Sequence, residues 1–67
     1  MFDNLRKVRK ENNISIAEMA EILGFKAQSA YCKRELEHVP FSLSEAKQIS
    51  DLFGRSIDDL FFDKKVS

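Results

Sequence analysis

Gln28 and Ser29 stand side by side at the head of the stretch QSAYCKR, and Lys33 follows about one helical turn later. A glutamine amide carries a donor and an acceptor that match the major-groove edge of adenine in two bonds. A serine hydroxyl adapts to several bases, and a lysine ammonium reaches guanine or a phosphate. Ala30 offers a methyl that can touch the methyl of thymine. Lys26 lies just before this run and His38 just after it, both able to meet a phosphate. The next helix start, at Ser42 and Leu43, adds amide groups that favour an anion. The chemistry open to these residues is reading base edges between phosphate contacts. The plainer reading of each is a solvated surface group, and His38 fits that reading best.

Other chemistries lack their parts. The chain has one cysteine, Cys32, and one histidine, His38, so neither an internal disulfide nor a four-ligand zinc site can form. No glycine-rich loop cradles phosphate, and no histidine stands in an arguable relation to a nucleophile. The adjacent Asp58 and Asp59 are explained by the start of a helix, where carboxylates complement the macrodipole. No enzyme, metal, cofactor or small-molecule substrate is expected.

The elements that must position these residues are helices. Apolar residues recur at three and four, not at two. Ser15-x-x-Glu18 and Ser42-x-x-Glu45 are capping boxes, each with an apolar residue before it, and Ser56-x-x-Asp59 is a weaker relative. Asp3 or Asn4 is expected to cap the first helix. Asn13 and Gly54 stand where a left-handed residue ends a helix. The signals predict helices near 3–12, 16–23, 28–36, 43–53 and 57–62. Leu5 and Val8 face inward from the first. Ile16, Met19, Ala20 and Leu23 form an i, i+3, i+4, i+7 stripe on the second. Leu43, Ala46, Ile49 (or Ser50) and Phe53 do so on the fourth. Ile57, Leu60 and one of Phe61 or Phe62 do so on the last, with Phe25 and Tyr31 filling between. The fold class is all-α, one compact five-helix domain over 1–67.

Sixty-seven residues bury only about 60% of the unfolded surface, so each core position counts. The chain is 43% apolar, with six phenylalanines, which excludes a disordered composition. No stretch approaches the roughly 20 apolar residues of a membrane span, and the N-terminus lacks a run of signal-peptide length. The expectation is a soluble, cytoplasmic protein. Net charge is zero, from 11 basic and 11 acidic side chains, but the balance is divided. Residues 1–34 hold seven basic and four acidic side chains, and residues 35–67 hold four and seven. One half can face a polyanion while the other does not.

Met19, Ala20, Leu23, Gly24 and Phe25 have the spacing of a helix-turn-helix. Ala20 is small where the next helix crosses, and Gly24 supplies a left-handed turn. The second helix of such a unit enters the major groove. Four segments in order, LRKVRKENNIS, MAEILG, VPFSLSEAKQIS and FGRSIDDLFF, span Leu5 to Phe62. With them the chain resembles the phage-repressor or Cro-type helix-turn-helix family (lambda repressor-like, XRE family) of five-helix domains. The resemblance implies that Gln28 and Ser29 occupy base-reading positions. It implies that Arg9 on the first helix pairs with Glu35 on the third and orients it. Two departures stand out. Ile16 replaces a polar residue that touches phosphate in relatives. Tyr31 and Glu35 fit the pattern with one residue inserted between Gly24 and Tyr31, which lengthens the turn through Phe25–Ala27 and puts Arg34 where many relatives are apolar.

The reading is a sequence-specific regulator of transcription that binds double-stranded DNA as a homodimer on a palindromic operator, its half-sites about one helical turn, ~34 Å, apart. Phage-type or mobile-element repression is what the resemblance implies. Phe61 and Phe62 are adjacent on a short helix, so one of them is a candidate dimer contact. The alternative is a protein-interaction module on the same fold that lost DNA binding, motivated by Ile16 and the neutral total charge.

Overall fold

A computed structural model describes residues 1–62. Five helices follow one another: α1 (Asp3–Glu11), α2 (Ile16–Leu23), α3 (Gln28–Glu35), α4 (Leu43–Phe53) and α5 (Ile57–Phe61). The described residues contain no strand, and none of their helices is long and apolar enough to cross a membrane. The last five residues of the expected 1–67 domain lie outside the described residues.

Local chemistry sets most helix ends. Ser15 Oγ accepts from the Glu18 N–H at 3.0 Å, and the Glu18 carboxylate accepts from the Ser15 N–H at 2.8 Å. Ser42 and Glu45 repeat this at the start of α4, and Ser56 Oγ accepts from the Asp59 N–H at the start of α5. Each pairing satisfies amides that a helix start otherwise leaves open. Gly24 ends α2 at φ 82° and Gly54 ends α4 at φ 65°, the left-handed conformation that glycine adopts without a Cβ penalty. Asn13, at φ 58°, makes the turn after α1.

α1 starts differently from expectation. Its cap position is Phe2, which offers no side-chain bond, and Asp3 is already helical. Asn4 instead donates through Nδ2 to the Asp59 carbonyl at 2.5 Å, joining α1 to α5. A tertiary acceptor competes successfully for a side chain that local sequence assigns to a cap.

Leu5, Val8, Met19, Ala20, Tyr31, Ile49 and Leu60 form the buried core, with Ile16, Leu23, Phe25, Phe53 and Phe61 packed against it. Fully burying each large apolar side chain contributes about 1.5–3 kcal/mol. α2 packs on α3, while α5 bridges α1 and α4. Leu43 corrects the predicted inward stripe of α4: it is 80% exposed. It is the first residue after the Ser42 cap, so its face runs past the end of the core. Phe41, from the preceding connection, covers that edge, with its ring 5.2 Å from Phe61 and 6.0 Å from Tyr31. Ile49 takes the buried position, and Ser50 lies half-buried with its hydroxyl donating to the Arg55 carbonyl.

Candidate nucleic-acid interface

α2 and α3 meet through a turn built on backbone bonds. The Phe25 N–H donates to the Ala20 carbonyl at 2.8 Å and the Gly24 N–H to the Glu21 carbonyl at 3.1 Å. Ala20 is buried beneath the crossing. The chain then bends through Lys26 and Ala27, and Ala27, the cap position of α3, has an extended backbone and offers no side-chain bond.

The inner face of α3 is polar yet closed. Arg9 Nε lies 2.9 Å from Glu35 Oε2, and Arg9 Nη2 lies 3.2 Å from Glu35 Oε1. The third arm of the guanidinium donates to the Ile14 carbonyl at 2.8 Å, in the connection before α2. Tyr31 Oη donates to Glu35 Oε2 at 2.7 Å. Arg9 and Glu35 are 5% and 4% exposed, so an unmet charge here would be costly. Every arm is met: no buried side-chain nitrogen or oxygen among the described residues lacks a partner. The hydrogen bond to Glu35 holds the Arg9 guanidinium above its ordinary pKa, and burial opposes this less strongly. Burial pushes the Tyr31 hydroxyl well above the usual tyrosine range, and its bond to the Glu35 carboxylate pushes the same way. One network therefore fixes α3 against α1 and the start of α2.

The outer face is open. Gln28, Ser29 and Lys33 are exposed, as are Lys26 in the turn and His38 beyond the helix. Their side chains make no hydrogen bond to other described residues. Ala30 is half-buried beside them. Residues four apart lie on one helix face, so Ser29 and Lys33 share an aspect turned away from Tyr31 and Glu35. Gln28 and Cys32 line a cleft with Arg6 and Lys10 of α1 and with Ser15, Ile16 and Ala17 at the start of α2. Basic side chains thus flank the head of α3 from a second helix. Their i, i+4 spacing on α1 signals a shared face but not that this face borders α3. Ile16 is half-buried there.

A family model for the helix-turn-helix matches residues 5–60. The chain belongs to the helix-turn-helix family of the XRE, lambda repressor-like type. No match to a curated protein or to a solved structure was found. The XRE-type assignment makes the chain a DNA-binding regulator, and it fits the division of α3 into a locked inner face and an open outer one.

Two placements were not legible in advance. Arg34, for which sequence offered no partner, stacks over Phe25 with its guanidinium carbon 4.4 Å from the ring centre. It also reaches Glu45 of α4 at 3.2 Å. No periodicity marks a pair separated by a helix end and a loop. The second concerns the two last phenylalanines. Phe61 turns inward, edge-on to Phe2 at 5.2 Å, whereas Phe62 is 56% exposed.

Proposed function

We propose that this XRE-type protein is a sequence-specific repressor of the phage or mobile-element kind, binding a palindromic operator as a homodimer in the cytoplasm. The observation that carries the reading is the outer face of α3. Gln28, Ser29 and Lys33 present donors and acceptors to solvent from a helix whose other face is immobilised. Gln28 reads adenine by two bonds, Ser29 adapts to its neighbour, and Ala30 contacts a thymine methyl. Lys33 reaches guanine or phosphate. Lys26, His38 and the start of α4 hold the phosphates that set register. One recognition helix per chain gives few contacts, so two copies supply affinity. Phe61 is occupied by its own domain, which leaves exposed Phe62, beside exposed Leu43, as the contact for a second copy.

A second reading, a protein-interaction module, draws on Ile16, which offers no hydrogen-bonding group to a phosphate, and on the same exposed Leu43 and Phe62. One experiment separates the two. The protein is incubated with a random DNA pool, bound sequences are selected, and affinity is measured at two salt concentrations. The repressor reading expects enrichment of a palindrome and affinity that falls with salt. Absence of binding at micromolar protein in low salt sinks it and favours the interaction module.

A further inference from the structure

Arg34 spans three pieces of the molecule. Its Nη1 donates to the Ala30 carbonyl at 2.7 Å, one turn back along α3. Its guanidinium covers the Phe25 ring in the turn. Its Nε donates to Glu45 Oε1 at 3.2 Å, in the first turn of α4. That oxygen has another task, since it also accepts from the Ser42 N–H at 2.9 Å. One carboxylate oxygen therefore joins the start of α4 to the recognition helix. Backbone bonds hold Gly24 and Phe25, but the rest of the turn has little to fix it: Ala27 makes no capping bond, and Lys26 and Ala27 are exposed. The Arg34 and Glu45 side chains are 21% and 19% exposed, so solvent only partly screens them.

We infer that Arg34 is a positioning residue: by gripping Phe25 on one side and Glu45 on the other, it fixes the turn carrying Lys26 and the start of α4 so that both meet the DNA backbone in step with Gln28 and Ser29. The inference rests on DNA binding through α3. A planar guanidinium suits the task because it stacks on one face and donates in two directions at its edge. A lysine ammonium does not combine these. Backbone contacts set register and base contacts set sequence. Loss of Arg34 should therefore reduce the number of phosphates engaged and leave the preferred sequence alone.

The test uses the full chain, a duplex selected from a random pool, and the variants Arg34→Met, Arg34→Lys and Glu45→Gln. The glutamine keeps an acceptor for the Ser42 N–H and removes the charge facing Arg34. Measurements are made below the melting transition, with the folded fraction read by circular dichroism. Arg34→Met should weaken binding about tenfold, with the slope of log affinity against log salt smaller by about 0.9 for each phosphate released. The base preference opposite Gln28 should persist. Arg34→Lys should recover part of the loss, and Glu45→Gln should fall between wild type and Arg34→Met. A role in stability alone lowers the folded fraction and leaves the slope unchanged. Wild-type affinity and slope in Arg34→Met overturn the inference while DNA binding stands. If Arg34→Met does not fold, a wild-type slope in Glu45→Gln overturns it equally. A wild type that shows no salt-dependent DNA binding removes the repressor reading, and this inference with it.

Discussion

Glu35 and Lys33 are two residues apart on α3, and their surroundings are opposite. Glu35 accepts three hydrogen bonds from Arg9 and Tyr31 and is almost fully buried. Lys33 is exposed and makes no side-chain bond to other described residues. Gln28 and Ser29 resemble Lys33, and Arg9 and Tyr31 resemble Glu35. Each buried nitrogen and oxygen of the inner polar groups has a partner inside the protein, and these bonds orient the helix. The outer ones are exposed and unbonded to other described residues, which leaves their donors and acceptors free for a partner. In a chain this small, one helix of eight residues has to do both jobs.

Arg9→Ala tests the inner region hardest. It leaves a buried carboxylate without its countercharge, at about 3–5 kcal/mol. A domain of this size has about 3–10 kcal/mol in total. The variant should be largely unfolded, or melt far below wild type, in urea and thermal denaturation. Replacing Arg9 by Met and Glu35 by Leu together should cost less than Arg9→Ala, because no isolated charge is left. An Arg9→Ala protein as stable as wild type would break the contrast between the two faces.

Tyr31→Phe is the next largest change. It removes the hydroxyl that donates to Glu35, at about 1.5–3 kcal/mol for a bond to a charged group. The raised pKa of Tyr31 adds a sign that can be checked. Its unfolded counterpart titrates near 10. Above that pH the folded protein binds one more proton than the unfolded chain, so stability falls as pH rises. The contribution is complete below about pH 10 and is lost at about 1.4 kcal/mol per pH unit up to the folded pKa. Wild type should therefore lose stability faster than Tyr31→Phe above that point. Tyr31 is the only tyrosine and there is no tryptophan, so tyrosinate absorbance reports this site alone. Tyrosinate appearing near pH 10 in folded protein would contradict the burial argument.

The outer region should behave in the reverse way. Gln28→Ala should leave stability within about 0.5 kcal/mol, as surface changes do. It should weaken binding to selected DNA by about 1–3 kcal/mol and relax the preference at one base pair. Unchanged affinity and preference would remove Gln28 from the interface. A large loss of stability would move it to the scaffold.

Much of this architecture was legible because short-range chemistry decides it. Ser15 with Glu18, Ser42 with Glu45, and the left-handed Gly24, Gly54 and Asn13 are local signals, and the helix ends that they mark obey them. The open face of α3 was legible as residue types: Tyr31 is the one large apolar side chain of the helix and takes the inward side, which leaves the polar Gln28, Ser29 and Lys33 outward. What escaped depended on distant partners. Asn4 prefers the Asp59 carbonyl to its own helix start, Leu43 lies beyond the core that its spacing implied, and Arg34 meets Phe25 and Glu45 across two connections. Each is decided by which element comes to rest nearby, and hydrophobic periodicity does not encode that.

Glu37 belongs to neither face and gives the smallest effect. It follows α3 at φ 68°, a left-handed conformation that costs an ordinary side chain about 1–2 kcal/mol. The turn needs it: the Glu37 N–H donates to the Arg34 carbonyl at 3.0 Å and the His38 N–H to the Lys33 carbonyl at 2.8 Å, closing the helix end. Nothing in the sequence marks the position, because glycine or asparagine would be the usual choice there. Glu37→Gly relieves the strain and gives back about 0.5–1 kcal/mol through the added freedom of the unfolded chain. Glycine also gives up the ion pair of the Glu37 carboxylate with the Met1 ammonium at 2.7 Å, a surface pair worth about 0–1 kcal/mol. The variant should therefore be more stable by no more than about 0.5 kcal/mol in urea titration. Because Glu37 lies outside both polar regions, DNA affinity should not change. A variant less stable than wild type would mean that the Glu37 side chain contributes more than its backbone strain costs.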